Sequence, residues 1–121
     1  MRLIIGGIYQ GRERFARTKY GQNITVYRGL YEDVKQALEE IYGDNIKRND
    51  ENHTESFIEI LGLHNIAKYD CVIAEEPYSG LTPISKEERK LTEYYGRVLE
   101  ELANQAESVE RVVCGLGQSL K

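Results

Sequence analysis

Three runs of this chain are apolar without alternation, and they constrain its fold more than anything else in it. Leu3-Ile-Ile-Gly6, Asp70-Cys-Val-Ile-Ala-Glu-Glu76 and Arg111-Val-Val-Cys114 each place branched or small apolar side chains at successive positions. A strand with one wet face alternates polar and apolar residues, so strands of this kind must be covered on both sides. Segments of helical periodicity separate the runs. Leu30, Val34, Ala37, Leu38 and Ile41 recur at helical spacing, as do Leu91, Tyr95, Val98, Leu102 and Ala106. Strands separated by helices predict an α/β fold with a small, mainly parallel sheet in a three-layer sandwich.

The boundaries follow from local chemistry. The spacing predicts a helix from Arg12 to Lys19, and another from Leu30 that ends at Gly43, with Glu32 and Asp33 opposing its dipole. Asn23 to Tyr27 is readable as a strand or as an extended connection. Asp44 to Asn52 reads as an exposed loop, and Asn52 with Glu55 resembles a capping box before a short helix ending near Gly62. Pro77 to Pro83 reads as a loop, Lys86 to Gln105 as a long helix, and Val109 to Cys114 as the last strand. Glu93–Arg97 and Arg97–Glu101 have ion-pair spacing on that helix.

At 121 residues the chain fits one domain. No apolar run approaches the ~20 residues that span a bilayer, which favours the cytoplasm. Cys71 and Cys114 each sit in an apolar run and read as buried hydrophobes, and His53 and His64 lack zinc-ligand spacing. The net charge is −4, yet residues 1–28 hold Arg2, Arg12, Arg14, Arg17, Lys19 and Arg28 against Glu13 alone. A basic first quarter suits a small anion, while the acidic remainder argues against a broad nucleic-acid surface.

That basic quarter surrounds Gly6-x-x-x-x-Gly11-Arg12-Glu13, the phosphate-loop pattern G-x-x-x-x-G-K-[ST] with Arg for Lys and Glu for the hydroxyl residue. Gly6, Gly7, Gln10, Gly11, Arg12 and Glu13 are the candidate phosphate-binding residues. The glycines would let backbone N–H groups wrap phosphates, and Arg12 would supply charge on a planar, longer head. Glu13 would compete with phosphate for the same N–H groups and helix dipole. Glu76, with Glu75 beside it, stands where an acidic residue orients magnesium. In a parallel sheet the ligand crevice lies at the carboxyl ends of the strands, where Gly6–Glu13 and Glu75-Glu76 both fall.

Beyond the second run, Glu75-Glu76-Pro-Tyr-Ser-Gly80-Leu-Thr-Pro83 is followed by Glu88-Arg89, Glu93, Gly96-Arg97 and the closing Arg111-Val-Val-Cys-Gly115-Leu-Gly117-Gln-Ser-Leu-Lys121. With Gly6-Gly7-x-x-x-Gly11, this series resembles the adenosylcobinamide kinase/adenosylcobinamide-phosphate guanylyltransferase family of cobalamin biosynthesis. The likeness covers the first sixteen residues and about Asp70 to Lys121. It implies a P-loop-NTPase-like fold, GTP or ATP with Mg2+, a corrinoid substrate, and a homo-oligomer. It also makes Arg89 and Arg97 further site candidates. The chain departs from that family at Arg12 and Glu13, at Pro77-Tyr78, in its shortened middle, and at the guanylylated histidine, where the equivalent region offers Tyr31. A phenol cannot form a phosphoramidate, so the kinase step fits these residues better than the guanylyl step. The rival expectations are a non-catalytic sensor or partner subunit, and an oligomeric scaffold whose glycine loop is only a turn.

Overall fold

The computed structural model describes residues 1–7, 10–42, 57–76 and 86–121. The expected ends at Gly43, the loop and capping box over 44–56, His53, and the Pro77–Pro83 loop lie outside the described residues. Five strands form one sheet in the order β2-β3-β1-β4-β5, with β1 (Arg2–Gly6) at its centre. β1 runs parallel to β3 (Cys71–Glu75) on one side and to β4 (Ser108–Val113) on the other. β2 (Val26–Tyr27) adds in parallel outside β3, and β5 (Leu116–Ser119) returns antiparallel to β4. The fold is thus α/β with a mostly parallel sheet.

Strand alternation divides the core between the two faces. Leu3, Val72, Ala74 and Val109 point to one face, where they meet Leu30, Val34 and Leu38 of α2 (Leu30–Tyr42) and Tyr95, Val98 and Leu102 of α4 (Lys86–Gln105). The single turn of α3 (Phe57–Ile60) joins this layer through Ile58, whose N–H is capped by the Glu101 carboxylate at 2.9 Å. Ile4, Cys71, Ile73 and Val112 point the other way, against Ala16, Phe15 and Tyr20 of α1 (Arg12–Tyr20). Helices therefore cover both faces, as the unbroken apolar runs require.

Two strands depart from the sequence reading. β4 ends at Val113, and each of its sides carries a charged residue: Glu110 is buried beside Val112, while Arg111 and Val113 are exposed on the side of Val109. It is not the last strand, because Cys114 and Gly115, at φ 52° and 76°, turn the chain back into β5. Positive φ at both central residues is the hairpin geometry whose twist matches the flanking strands. Cys114 is consequently exposed rather than a core hydrophobe, whereas Cys71 is fully buried. Both thiols are free.

Candidate functional site

The β1–α1 loop leaves the centre of the sheet at its carboxyl end, next to the end of β3. Gly6 stands beside Glu75 in register, and its carbonyl accepts the Glu76 N–H at 3.3 Å. α1 leaves toward one face and α4 toward the other, so the chain parts on either side of the sheet here and opens a crevice.

Two of the loop's three glycines, Gly6 and Gly11, have a physical reason in the fold. A Cβ on Gly6 would lie 2.6 Å from the Val112 carbonyl oxygen, so the central strands exclude any side chain there. Gly11 caps α1 at φ 80°, ψ 29°, a conformation costly for other residues, and its carbonyl accepts the Phe15 N–H at 2.9 Å. A Cβ on Gly7 would meet only Gln10 Cγ at 3.6 Å, an ordinary contact. Gln10 pins the loop to the hairpin turn. Its side-chain Oε1 accepts the Cys114 N–H at 2.6 Å, and its backbone oxygen accepts the Gly115 N–H at 2.9 Å.

Glu13 does not turn back onto the helix N–H groups; α1 has no side-chain cap. Its carboxylate lies instead between two guanidinium groups. Arg28 donates through Nε to Oε1 and through its terminal nitrogen to Oε2 at 2.5 Å, while Arg17 donates to Oε2 at 3.0 Å. Arg28 above all holds this carboxyl down to a pKa of about 2; burial opposes it, and Arg17 adds to the lowering. The charge expected to repel phosphate is therefore met by two cations, and Arg12 and Arg14 remain in the first turn without an ion-pair or hydrogen-bond partner among the described residues.

A depressed carboxylate stabilises the fold above its unfolded pKa and loses that contribution as pH falls through its folded pKa. The stability that Glu13 contributes should thus fade between about pH 4.5 and 2. Its side chain is 34% exposed, so solvent screening reduces the effect to about 1 kcal/mol. Glu13→Gln should lose that much at neutral pH and show a flatter stability profile below pH 4.5 in denaturant titrations. Parallel profiles for the two proteins would contradict the geometry.

The two carboxylates at the end of β3 are placed differently. Both oxygens of Glu76 accept from Arg111 of β4, one from Nε and the other from the terminal nitrogen at 3.2 Å. Glu75 carries no ion pair among the described residues. It lines a cavity of about 160 Å³ with Arg12, Arg28, Tyr31 and Glu32. Tyr95 fixes the floor of this region. Its hydroxyl donates to the Glu75 carbonyl at 2.6 Å and its ring packs edge-on against Tyr31 at 5.2 Å. Burial pushes the Tyr95 hydroxyl well above its ordinary pKa, keeping it a donor.

A second, larger cleft of about 790 Å³ opens on the far side of the loop, between α1 and the hairpin, and includes Gln10, Arg14, Phe15, Lys19 and Cys114. Glu110 forms its buried base, accepting from Lys19 at 2.8 Å and from the Tyr20 hydroxyl. A cleft of this size suits a small organic ligand. The loop therefore stands between two cavities of different size, each lined by two cationic and two carboxylate side chains.

The remaining candidates lie elsewhere. Arg89 is exposed on α4, and Arg97 on the same helix donates to Glu93 at 3.4 Å; neither lines the two cavities. Among the described residues no group of three or more His, Cys, Asp or Glu side chains could hold a metal ion. With Glu76 occupied by Arg111 and Glu13 replacing the loop hydroxyl, these residues do not form a cage for magnesium. Glu75 is one available carboxylate. From sequence, Arg28 enters only as part of the basic first quarter and Glu32 only as a helix-dipole charge, and Glu110 is not singled out. Arg28 follows an ambiguous strand, and accepting that strand would have placed it at a carboxyl end. No helix of the structure is long and apolar enough to cross a membrane. No protein-family model and no curated protein matches this chain.

Proposed function

We propose that this chain binds a nucleotide or related phosphate ligand at the β1–α1 loop, as a divergent relative of the cobinamide kinase/guanylyltransferase family linked to cobalamin biosynthesis. The observation that carries the reading is the charge arrangement at the start of α1. Glu13 is neutralised by Arg17 and Arg28, while Arg12 faces the crevice beside Glu75 with no partner of its own among the described residues. A phosphate at that helix end would meet backbone N–H groups, the positive end of the dipole and the Arg12 guanidinium. The larger cleft across the loop has room for the rest of a nucleotide.

Catalysis, in this reading, is kinase-like: positioning and electrostatics rather than covalent chemistry by the protein. Tyr31 lines the smaller cavity but has no imidazole nitrogen for a guanylylated intermediate. Magnesium would enter on the nucleotide phosphates, with Glu75 its available carboxylate. A second reading, a ligand sensor without catalysis, is favoured by one specific feature: Arg111 holds both oxygens of Glu76.

Calorimetric titration with GTP, ATP and inorganic phosphate, with and without magnesium, tests the reading. Saturating nucleotide should raise the unfolding free energy by about 2–3 kcal/mol at a hundredfold excess over Kd. Arg12→Ala should weaken binding about tenfold to a hundredfold through loss of a charge-assisted contact. No response to any nucleotide at millimolar concentration would overturn the proposal. Binding gained only after Arg12→Lys with Glu13→Ser would identify a relic site. Binding without phosphoryl transfer to a hydroxyl-bearing corrinoid would leave the sensor reading.

A further inference from the structure

β5 leaves one long side of the sheet open. All four of its residues are exposed, and on it or next to it stand three of the four large apolar side chains exposed among the described residues: Val113 at 45%, Leu116 at 75% and Leu120 at 52%. From Val113 to Leu120 there is no charged residue and no proline, the devices by which proteins blunt a sheet edge.

The hydrogen-bonding state of that edge follows from the hairpin register. In a hairpin with a two-residue turn, the residues flanking the turn, Val113 and Leu116, form a hydrogen-bonded pair, and the ladder alternates from there. Leu116 and Gln118 therefore direct their N–H and C=O groups toward β4, and the Leu120 N–H continues the pattern onto the Val109 carbonyl at 2.8 Å. Gly117 and Ser119 direct theirs outward.

Leu116-Gly-Gln-Ser-Leu120 reads nearly the same in both directions about Gln118. We propose that β5 pairs antiparallel with β5 of a second copy of this chain, about a two-fold axis at Gln118. Gly117 then faces the partner's Ser119, so the outward groups of both strands exchange N–H···O bonds, and the symmetry repeats the exchange. The same register sets Leu116 directly across from the partner's Leu120. Residues 116, 118 and 120 share a face, so each copy covers the exposed leucines of the other, with Val113 alongside Leu116. One register thus satisfies both the backbone and the apolar side chains, and a charge-free strand meets itself without like-charge repulsion. An isologous contact of this kind closes at two copies and consumes the edge. The inference is independent of the ligand reading.

Sedimentation velocity of the full chain across micromolar to millimolar loading tests it. The native chain should form a dimer. Leu116→Lys, which adds an edge charge, and Ser119→Pro, which removes an outward N–H while leaving the hairpin bonds, should each weaken self-association about tenfold or more. Far-UV circular dichroism should show that both variants fold. In a Cys114→Ser background, chains bearing Leu116→Cys mixed with chains bearing Leu120→Cys should oxidise to a covalent heterodimer, and neither alone should cross-link. A monomeric native chain, variants that dimerise as well as the native chain, or cross-links formed by Leu116→Cys alone would each overturn the proposal.

Discussion

Replacing Tyr95 with alanine is expected to lower the unfolding free energy by about 4 kcal/mol, measured by denaturant titration with linear extrapolation. Tyr95 is the largest fully buried side chain described. It sits on α4 in the core layer shared with α2 and packs edge-on against Tyr31 of that helix. Truncation would leave a ring-sized void among side chains held by three different elements, and such a site relaxes only partly. Tyr95→Phe keeps the ring and removes only the donor to the Glu75 carbonyl, so about 1 kcal/mol should be lost. The pair of variants separates packing from hydrogen bonding. If alanine costs no more than phenylalanine, the ring is not the support it looks to be.

Gly6→Ala is expected to cost about 3 kcal/mol, at the upper end of what overpacking a core costs. The clash is with a backbone carbonyl of the neighbouring strand, at 2.6 Å, rather than with a side chain that could rotate away. Arg12 Cγ, 3.3 Å from the same point, closes a second direction. Alanine's lower unfolded-state entropy returns only part of this, about 0.5–1 kcal/mol. Gly7→Ala is the internal control, because its added methyl meets nothing nearer than 3.6 Å and should be close to neutral. Equal losses for the two substitutions would remove sheet packing as the reason for Gly6.

The elements that burial alone dictates were legible in the sequence. α4 spans Lys86–Gln105 as its periodicity implies, and β1 and β3 follow their apolar runs. β2 was ambiguous because it depends on a distant partner. The Thr25 N–H donates to the Asp70 carboxylate, and the Asp70 N–H returns to the Thr25 hydroxyl oxygen, both at 2.9 Å. That reciprocal pair aligns two residues of strand with β3, and no local pattern announces it. β5 was missed because Leu-Gly-Gln-Ser has little strand propensity, and the turn that creates it requires positive φ at a cysteine. Cys114 was expected to be buried for the same reason: its run was read as continuing when the chain turns there.

At the site, the glycine positions were legible but their causes were not. Gly6 is required by a neighbouring strand more than a hundred residues later, and Gly11 by the cap of α1. The orientation of Glu13 depends on Arg28, which the fold brings in from beyond β2. Of the two adjacent glutamates, strand alternation and Arg111 decide which stays available, and that is decided by β4. Sequence spacing brought the two candidate segments to one end of the sheet; partners from other strands set their charges.

The central position of β1 also governs when the sheet can form. Its two neighbours are Cys71–Glu75 and Ser108–Val112, so every ladder it makes joins residues far apart along the chain. Loops of that length must close before any of those bonds form, which places the chain among slower folders for its size. During synthesis, β1 leaves the ribosome before β3 and β4 and stays unpaired until they follow. Its Leu-Ile-Ile run is exposed for that interval. The segment that organises the finished molecule is thus the one that newly made chains must keep from sticking to one another.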